Sequence, residues 1–262
     1  MEDSLYDELW RTEHKHWWFV ARRNIVRSLV DRHAPETDDD RLSICELGCG
    51  TGGNIASFAE KHDVVGVDTS EHALRYARKR LGDHATYGRL PDDVRLTPSS
   101  FDVVLATDVF EHIEDDVKSV ETALSLLRPG GILVATVPAY QWLFSPRDIH
   151  HQHFRRYGRR QFEQLFDVPD VRLELLSHYN TVLFPPAALA RQLSKWLPQE
   201  SLGDLRVPPR PVNAILTWLF TSERRLLERT TLPFGLSLVA VARRLRSPAE
   251  QLPDVTKRQR AA

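Results

Sequence analysis

Ile44-Cys45-Glu46-Leu47-Gly48-Cys49-Gly50-Thr51-Gly52-Gly53 decides how this chain is read. The apolar run from Leu42 to Leu47 predicts a buried strand, and four glycines follow it at once. Asn54 to Glu60 then carries a helical pattern. Strand, glycine turn and helix form the opening step of a doubly wound α/β unit. There the backbone bends sharply and approaches a ligand at a helix N-terminus, where free N–H groups point outward. Asp68 closes the next apolar run, Val64 to Val67, 20 residues after Gly48. A carboxylate in that place accepts hydrogen bonds from both hydroxyls of a ribose. The glycines alone do not discriminate. Gly48, Gly50 and Gly52 make Gly-x-Gly-x-Gly, and Gly48, Gly50 and Gly53 satisfy the Gly-x-Gly-x-x-Gly of dinucleotide enzymes.

Two further features narrow the reading. Glu46 puts a carboxylate two residues ahead of the first glycine in an otherwise apolar strand, and Phe101-Asp102-Val103-Val104-Leu105-Ala106-Thr107-Asp108 is a second buried strand ending in an acid. With Glu111-His112 just after it, the set resembles the class I S-adenosylmethionine-dependent methyltransferases. The resemblance implies an α/β fold: a Rossmann-like, doubly wound seven-stranded sheet whose last strand is antiparallel. It implies S-adenosylmethionine as cofactor, held by Glu46, Gly48, Cys49, Gly50, Thr51, Gly52, Asp68 and Asp108. It also places the residues after the third strand on the adenine. Relatives often carry an acid there; this chain has Gly88-Arg89-Leu90-Pro91, and Leu90 is assigned to the ring.

Length and composition set the outer bounds. The 262 residues hold one large α/β domain with additions, and 42% hydrophobic with 27% charged residues is ordinary for a globular protein. A net charge of -1 argues against nucleic acid as a partner. Cys45 and Cys49, the two cysteines, flank a tight turn that a disulfide would distort, so reduced thiols and a cytoplasmic setting are expected. The start has no signal-peptide pattern, and no run of 18 apolar residues occurs.

Residues 1–34 read as an N-terminal helical cap dense in aromatics and arginine. Trp17 or Trp18 packs on the core, or the segment covers the cofactor with Arg23 meeting the methionine carboxylate. Ser70 to Leu81 reads as a helix with Ser70 as N-cap, His84 to Leu90 as a short strand and Val117 to Leu127 as a helix. Arg128-Pro129-Gly130-Gly131 turns the chain into a strand over Ile132 to Val137. Asp108, Glu111 and His112 resemble the E-x-x-E-H of ubiquinone-type O-methyltransferases, where that cluster is linked to a divalent ion. Aspartate replaces the first glutamate here, and no metal is assigned.

Tyr140 to Tyr157 leaves the carboxyl end of a central strand. From 145 to 160 it holds five arginines, three histidines and one acid, which suits a phosphate or carboxylate on the acceptor. His153, His112 and Asp148 are the candidate catalytic groups, the aspartate pairing with a neighbouring imidazole. Arg155, Arg156, Tyr157 and Trp142 are the candidate acceptor contacts. His153-x-Arg155-x-Tyr157 also resembles a run that orders this loop in many such methyltransferases. With His-Trp-Trp-Phe at residues 16–19, it resembles a subgroup associated with glycolipid and surface-polysaccharide pathways.

The Rossmann-like domain is assigned to 41–183 plus 233–246, with strands over Val171 to Val182 and Leu236 to Ala242. Between them, 184–232 is a Pro-rich insertion with helical pieces at Ala187 to Leu197 and Val212 to Leu227. It reads as a packed helical extension, a dimer element, or a lid resting on a membrane surface through Trp196 and Trp218. Residues 247–262 read as a disordered tail. The expected activity is O-methylation of an anionic small-molecule or lipid-linked saccharide acceptor. An NAD-dependent oxidoreductase or epimerase and a noncatalytic cofactor-binding module are the rivals. Oligomeric state and acceptor identity are not legible.

Overall fold

The computed structural model describes residues 3–194 and 206–246. Trp196, the end of the first predicted insertion helix and the tail from 247 therefore lie outside the described residues. Seven strands form one sheet: β1 (Ser43–Leu47), β2 (Asp63–Asp68), β3 (Ala85–Tyr87), β4 (Phe101–Thr107), β5 (Leu127–Pro138), β6 (Val171–Tyr179) and β7 (Ser237–Arg244). Their order is β3-β2-β1-β4-β5-β7-β6. β1 to β5 run parallel, and β7 lies antiparallel between β5 and β6. The direction of winding reverses between β1 and β4, the place where open α/β sheets bind ligands beyond the carboxyl ends of their strands.

The period of two along each strand sorts the core into two faces. Ile44, Val103, Leu105, Val134 and Val241 point to one side, and Cys45, Leu47, Val104, Ala106 and Ala135 to the other. The first face is covered by α2 (Trp17–His33) through Ile25 and Leu29, and by α3 (Glu71–Leu81) through Leu74 and Ala77. The second is covered by α4 (Asp116–Ser125) through Val120 and Ala123, and by α6 (Arg159–Gln164) through Phe162. Burying each such side chain is worth roughly 1.5–3 kcal/mol. Strands apolar on both faces are what a parallel sheet with helices on each side requires.

Several boundaries differ from the sequence reading. The pattern over 4–33 is two helices, α1 (Asp3–Thr12) and α2, with a corner between them. Asn54 to Glu60 does not make an α-helix; it holds one 3₁₀ turn, Ile55–Ser57, inside a run of turns. At the start of that turn Glu46 accepts from Ile55 N at 3.0 Å and from Asn54 Nδ2 at 2.7 Å. α3 has the expected cap, Ser70 Oγ accepting from Ala73 N. α4 stops at Ser125 and β5 begins at Leu127, so the Arg-Pro-Gly-Gly segment belongs to the strand's irregular start; Gly130 there has φ +91°.

The insertion contains α7 (Phe184–Ser194) and α8 (Arg210–Leu227). α8 packs along α2. Phe220 meets Trp17 edge-on at 6.0 Å and stacks on Tyr179 of β6 at 5.8 Å. Asn213 fastens the start of α2, accepting from Trp17 N at 2.9 Å and donating to the Lys15 carbonyl at 2.8 Å. Gly235 leads into β7 against the backbone of Tyr179, where a Cβ would sit 2.3 Å from the carbonyl oxygen. Val212, Ile215 and Trp218 of α8 remain exposed. Cys45 and Cys49 are free and buried, and no described helix is long and apolar enough to cross a membrane.

Candidate functional site

A cavity of about 1520 Å³ opens beyond the carboxyl ends of β1, β2 and β4, roofed by α1 and α2. Its floor is the glycine loop. Gly48 has φ +67°, and a Cβ there would lie 2.6 Å from Val109 Cγ2, so only glycine fits. Asp68 ties the loop to the end of β2: Oδ2 accepts from Gly50 N at 2.8 Å and Oδ1 from Ser70 N at 2.9 Å. Each oxygen thus keeps acceptor capacity for a further donor. Burial pushes the Asp68 carboxyl up, against those backbone donors.

Glu46 lies under the loop, 1% exposed. Besides Asn54 and Ile55 it accepts from Thr107 Oγ1 at 2.9 Å, which joins β1 to β4. Burial pushes its carboxyl up to about 7, the three donors and the Arg22 charge only partly opposing. Gly48, Cys49, Gly50 and Leu90 also face the cavity. Thr51 and Gly52 do not line it. The Thr51 hydroxyl donates to Glu13, which also receives Arg80, and Gly52 packs on Ala77 of α3. These two positions shape the turn and clamp the α1–α2 corner onto it.

Two adjacent arginines of α2, Arg22 and Arg23, reach the cavity. Arg23 donates to the Glu13 carbonyl at 3.3 Å and has a buried Nε with no hydrogen-bond partner. Arg22, not singled out in the sequence, pairs with Asp108 Oδ2 and lies over the Trp18 ring at 4.5 Å. Asp108 sits at φ +57° and also accepts from Thr136 Oγ1 at 3.0 Å.

Deeper in the cavity, Glu111, His112 and His153 come together with ligand atoms within 4.8 Å of one another. The imidazoles of His112 and His153 meet edge-to-face at 4.6 Å. Glu111 is fully buried, and neither carboxylate oxygen has a hydrogen-bond partner. Burial and the charge of Asp108 push its carboxyl well up. Burial, then His153, pushes His112 down to about 4, so its imidazole is neutral at pH 7.

Asp148 stands behind His153, its Oδ1 3.1 Å from Nδ1. The same carboxylate takes Arg156 Nε at 2.8 Å and Nη2 at 2.7 Å, and the Ser145 hydroxyl at 3.0 Å. Burial alone would raise it; His153, Arg156 and Ser145 outweigh that and hold it below the usual carboxylate range. Asp148 thus bridges His153 and Arg156, and Arg156, 4% exposed, lines the cavity with its guanidinium bound to that carboxylate. Three other expected acceptor contacts do not line the cavity. Tyr157 is buried and donates to Asp116 at 2.8 Å, Arg155 pairs with Asp116 at 2.6 Å, and Trp142 stands half-exposed beside Tyr140 and Phe184. Arg147 and Arg206 do line it. Neither had a local signal beyond the general basicity of its segment.

Residues 45–133 match a family model described as a methyltransferase domain. The chain is 32% identical over 103 residues to trans-aconitate 2-methyltransferase of Rhodopseudomonas palustris, covering 38% of this chain and 40% of that one. It is 32% identical over 108 residues to the ubiquinone biosynthesis O-methyltransferase of Nitrosospira multiformis, covering 39% and 44%. The alignments thus span about two fifths of the length of these relatives. Among solved structures, the geranyl diphosphate C-methyltransferase of Streptomyces coelicolor superposes with a TM-score of 0.54 at 13% identity, covering 84% of this chain and 79% of that one. A protein solved with the Haloferax volcanii Trm112 methyltransferase activator gives 0.57 at 16%, covering 94% and 95%. At such identities the likeness concerns the fold. The matched segment runs from inside β1, through the glycine loop and Asp68, into β5, and over that segment the chain is similar to methyltransferase domains.

Proposed function

We propose that this chain transfers the methyl group of S-adenosylmethionine to an oxygen of an anionic acceptor, a small molecule or a lipid-linked saccharide. The cavity carries the reading. It joins a Gly-x-Gly loop with spare acceptor capacity on Asp68 to a cluster of buried Glu111 and half-buried His112, a few residues beyond β4, with half-buried His153 from the loop after β5. The residues fit the cofactor on two counts. The Asp68 oxygens each hold one backbone amide and accept further donors from a ribose, and the orphaned Arg23 Nε suits the methionine carboxylate. Leu90 is the apolar surface for the adenine.

The bound sulfonium supplies an already electrophilic methyl group. What the chain contributes is placement: holding an acceptor oxygen at near-attack distance is worth up to about 7–11 kcal/mol in model reactions. As the O–C bond forms and the C–S bond breaks, the electron pair stays on sulfur. The acceptor hydroxyl's proton is lost on the side of the cavity that His112 and His153 line, with Asp148 orienting the latter. Arg147 and Arg206 supply positive charge on the acceptor side. The exposed Ile215 and Trp218 of α8, with Arg225, form the face through which a lipid-linked acceptor is reached.

Calorimetry with S-adenosylhomocysteine and NAD tests the donor, and turnover of labelled S-adenosylmethionine over hydroxy and carboxy acids tests the acceptor. Binding of the homocysteine compound alone, with label on an anionic acceptor, is expected. Binding of NAD alone, or binding without turnover on any acceptor, overturns the proposal. Sedimentation with anionic liposomes is expected for the lipid-linked class, and its absence leaves free small molecules as the acceptors.

A further inference from the structure

Glu111 poses a physical problem. A carboxyl group that is fully buried and has no partner for either oxygen forfeits about 1–3 kcal/mol or more per stranded atom, and such groups call for an unseen water or ion. Asp108, the residue a metal reading of the sequence would recruit, is not aimed at it: Arg22 and Thr136 hold Asp108 instead. The groups that face Glu111 are two imidazoles, one from the next residue and one from the loop after β5. That loop is fastened in place by Phe154 N, which donates to the Glu111 carbonyl at 2.7 Å.

We infer that Glu111, His112 and His153 form a binding site for a divalent first-row transition ion. Three observations carry this. The ligand atoms lie within 4.8 Å of one another, near the roughly 3.0–3.5 Å at which ligands about 2.1 Å from a shared ion sit. Both histidines have an outer partner that fixes which nitrogen faces the cluster. His153 Nδ1 is bound by Asp148, which Arg156 and Ser145 hold, and His112 donates to the backbone of Gln152. A carboxylate or carbonyl behind each histidine is the usual build of a metal site. One carboxylate with two imidazoles suits zinc, iron(II), cobalt or manganese. Magnesium and calcium prefer oxygen throughout.

Three protein ligands leave at least one position open, and the opening faces the cavity that Arg147 also lines. On the function proposed above, that position takes the acceptor oxygen. Coordination lowers the hydroxyl's pKa, its proton passes to solvent water, and the resulting oxygen attacks the methyl carbon. His153 then serves as a ligand rather than as the base.

The test uses chelator-treated full-length protein and cobalt(II), whose d–d absorption reports an ordered nitrogen–oxygen site. One equivalent is expected to bind with a visible spectrum, to be displaced by zinc and to be unaffected by tenfold excess magnesium. Glu111→Gln is expected to abolish the spectrum, and Asp148→Asn to weaken binding about 10–100-fold. A thermal shift with S-adenosylhomocysteine, run on each variant, shows that it is folded with its cofactor cleft intact. Absence of the cobalt spectrum in wild type, or its survival in Glu111→Gln through surface groups such as His150, overturns the inference. If wild type binds cobalt but not the homocysteine compound, the donor reading fails and the metal site stands.

Discussion

Glu223 offers a test in which the magnitude follows from counted bonds. It is 1% exposed on α8 and holds the backbone that leaves β6. Oε2 accepts from Asn180 N at 2.6 Å, and Oε1 accepts from Thr181 N at 2.7 Å and Val182 N at 3.1 Å. Leu183, Pro186 and Ala187, just beyond that turn, line the cavity, so this carboxylate holds the chain that forms that wall. In Glu223→Gln the remaining oxygen keeps Thr181 and Val182, and the new NH₂ meets the Asn180 amide donor to donor. Losing one bond to a charged group and stranding its N–H costs about 2–4 kcal/mol. Burial raises the Glu223 carboxyl above its ordinary pKa, so the neutral amide recovers part of a desolvation cost. The expected net loss is about 2 kcal/mol.

Urea unfolding followed by tryptophan fluorescence reads this. With a slope of about 2 kcal/mol per molar, the midpoint falls by about 1 M at unchanged slope. Hydrogen exchange at Asn180, Thr181 and Val182 accelerates at the same time. Glu223→Ala strands all three amides and costs more, about 3–5 kcal/mol. A midpoint within about 0.3 M of wild type in Glu223→Gln, with those three amides still protected, would refute the reasoning.

Two further outcomes bear on the cofactor cleft. Asp68→Asn should raise the Kd for S-adenosylhomocysteine by about 10²–10³-fold in calorimetry, because two charge-assisted ribose bonds weaken together; a Kd within threefold of wild type removes Asp68 from the ribose site. Glu46 predicts a pH dependence. Its folded pKa of about 7 lies above the ordinary value of 4.5, so the folded state holds the proton more tightly than the unfolded chain. That stabilisation is complete below about 4.5 and is lost as pH rises through about 7, a change on the order of 3 kcal/mol. The wild-type stability curve should fall relative to Glu46→Gln across that window without ligand, and parallel curves contradict the assignment.

How much of this was legible in the chain follows from the range of each interaction. The glycine loop, Asp68 and the strand ending at Asp108 are local patterns whose meaning is carried by spacing, and they met in one cavity. The α-helix expected after the loop is replaced by a 3₁₀ turn whose Ile55 amide donates to Glu46, nine residues back in sequence, a contact that hydrophobic period does not report. Arg22 and Arg23 are neighbours on a helix and diverge by about 100°. Local sequence announces an arginine over the cleft without deciding which one meets Asp108 and which keeps an unpaired Nε.

The loop after β5 shows the same limit more sharply. Its basicity suggested a set of acceptor contacts, yet Arg155 and Tyr157 both end on Asp116, at the start of α4, and Arg156 on Asp148. Three of the charges and hydroxyls that looked like a binding surface instead hold the loop against the sheet. What that fastening achieves is visible only across the chain: it carries His153 beside Glu111, 42 residues away in sequence. The two meet because β4 and β5 are paired neighbours whose carboxyl ends open on the same side, Ala106 against Ala135 and Thr107 against Thr136. The sheet order that makes a cofactor cleft also brings a buried carboxylate to two imidazoles. The loop's ion pairs are therefore best understood as the means of keeping that cluster assembled.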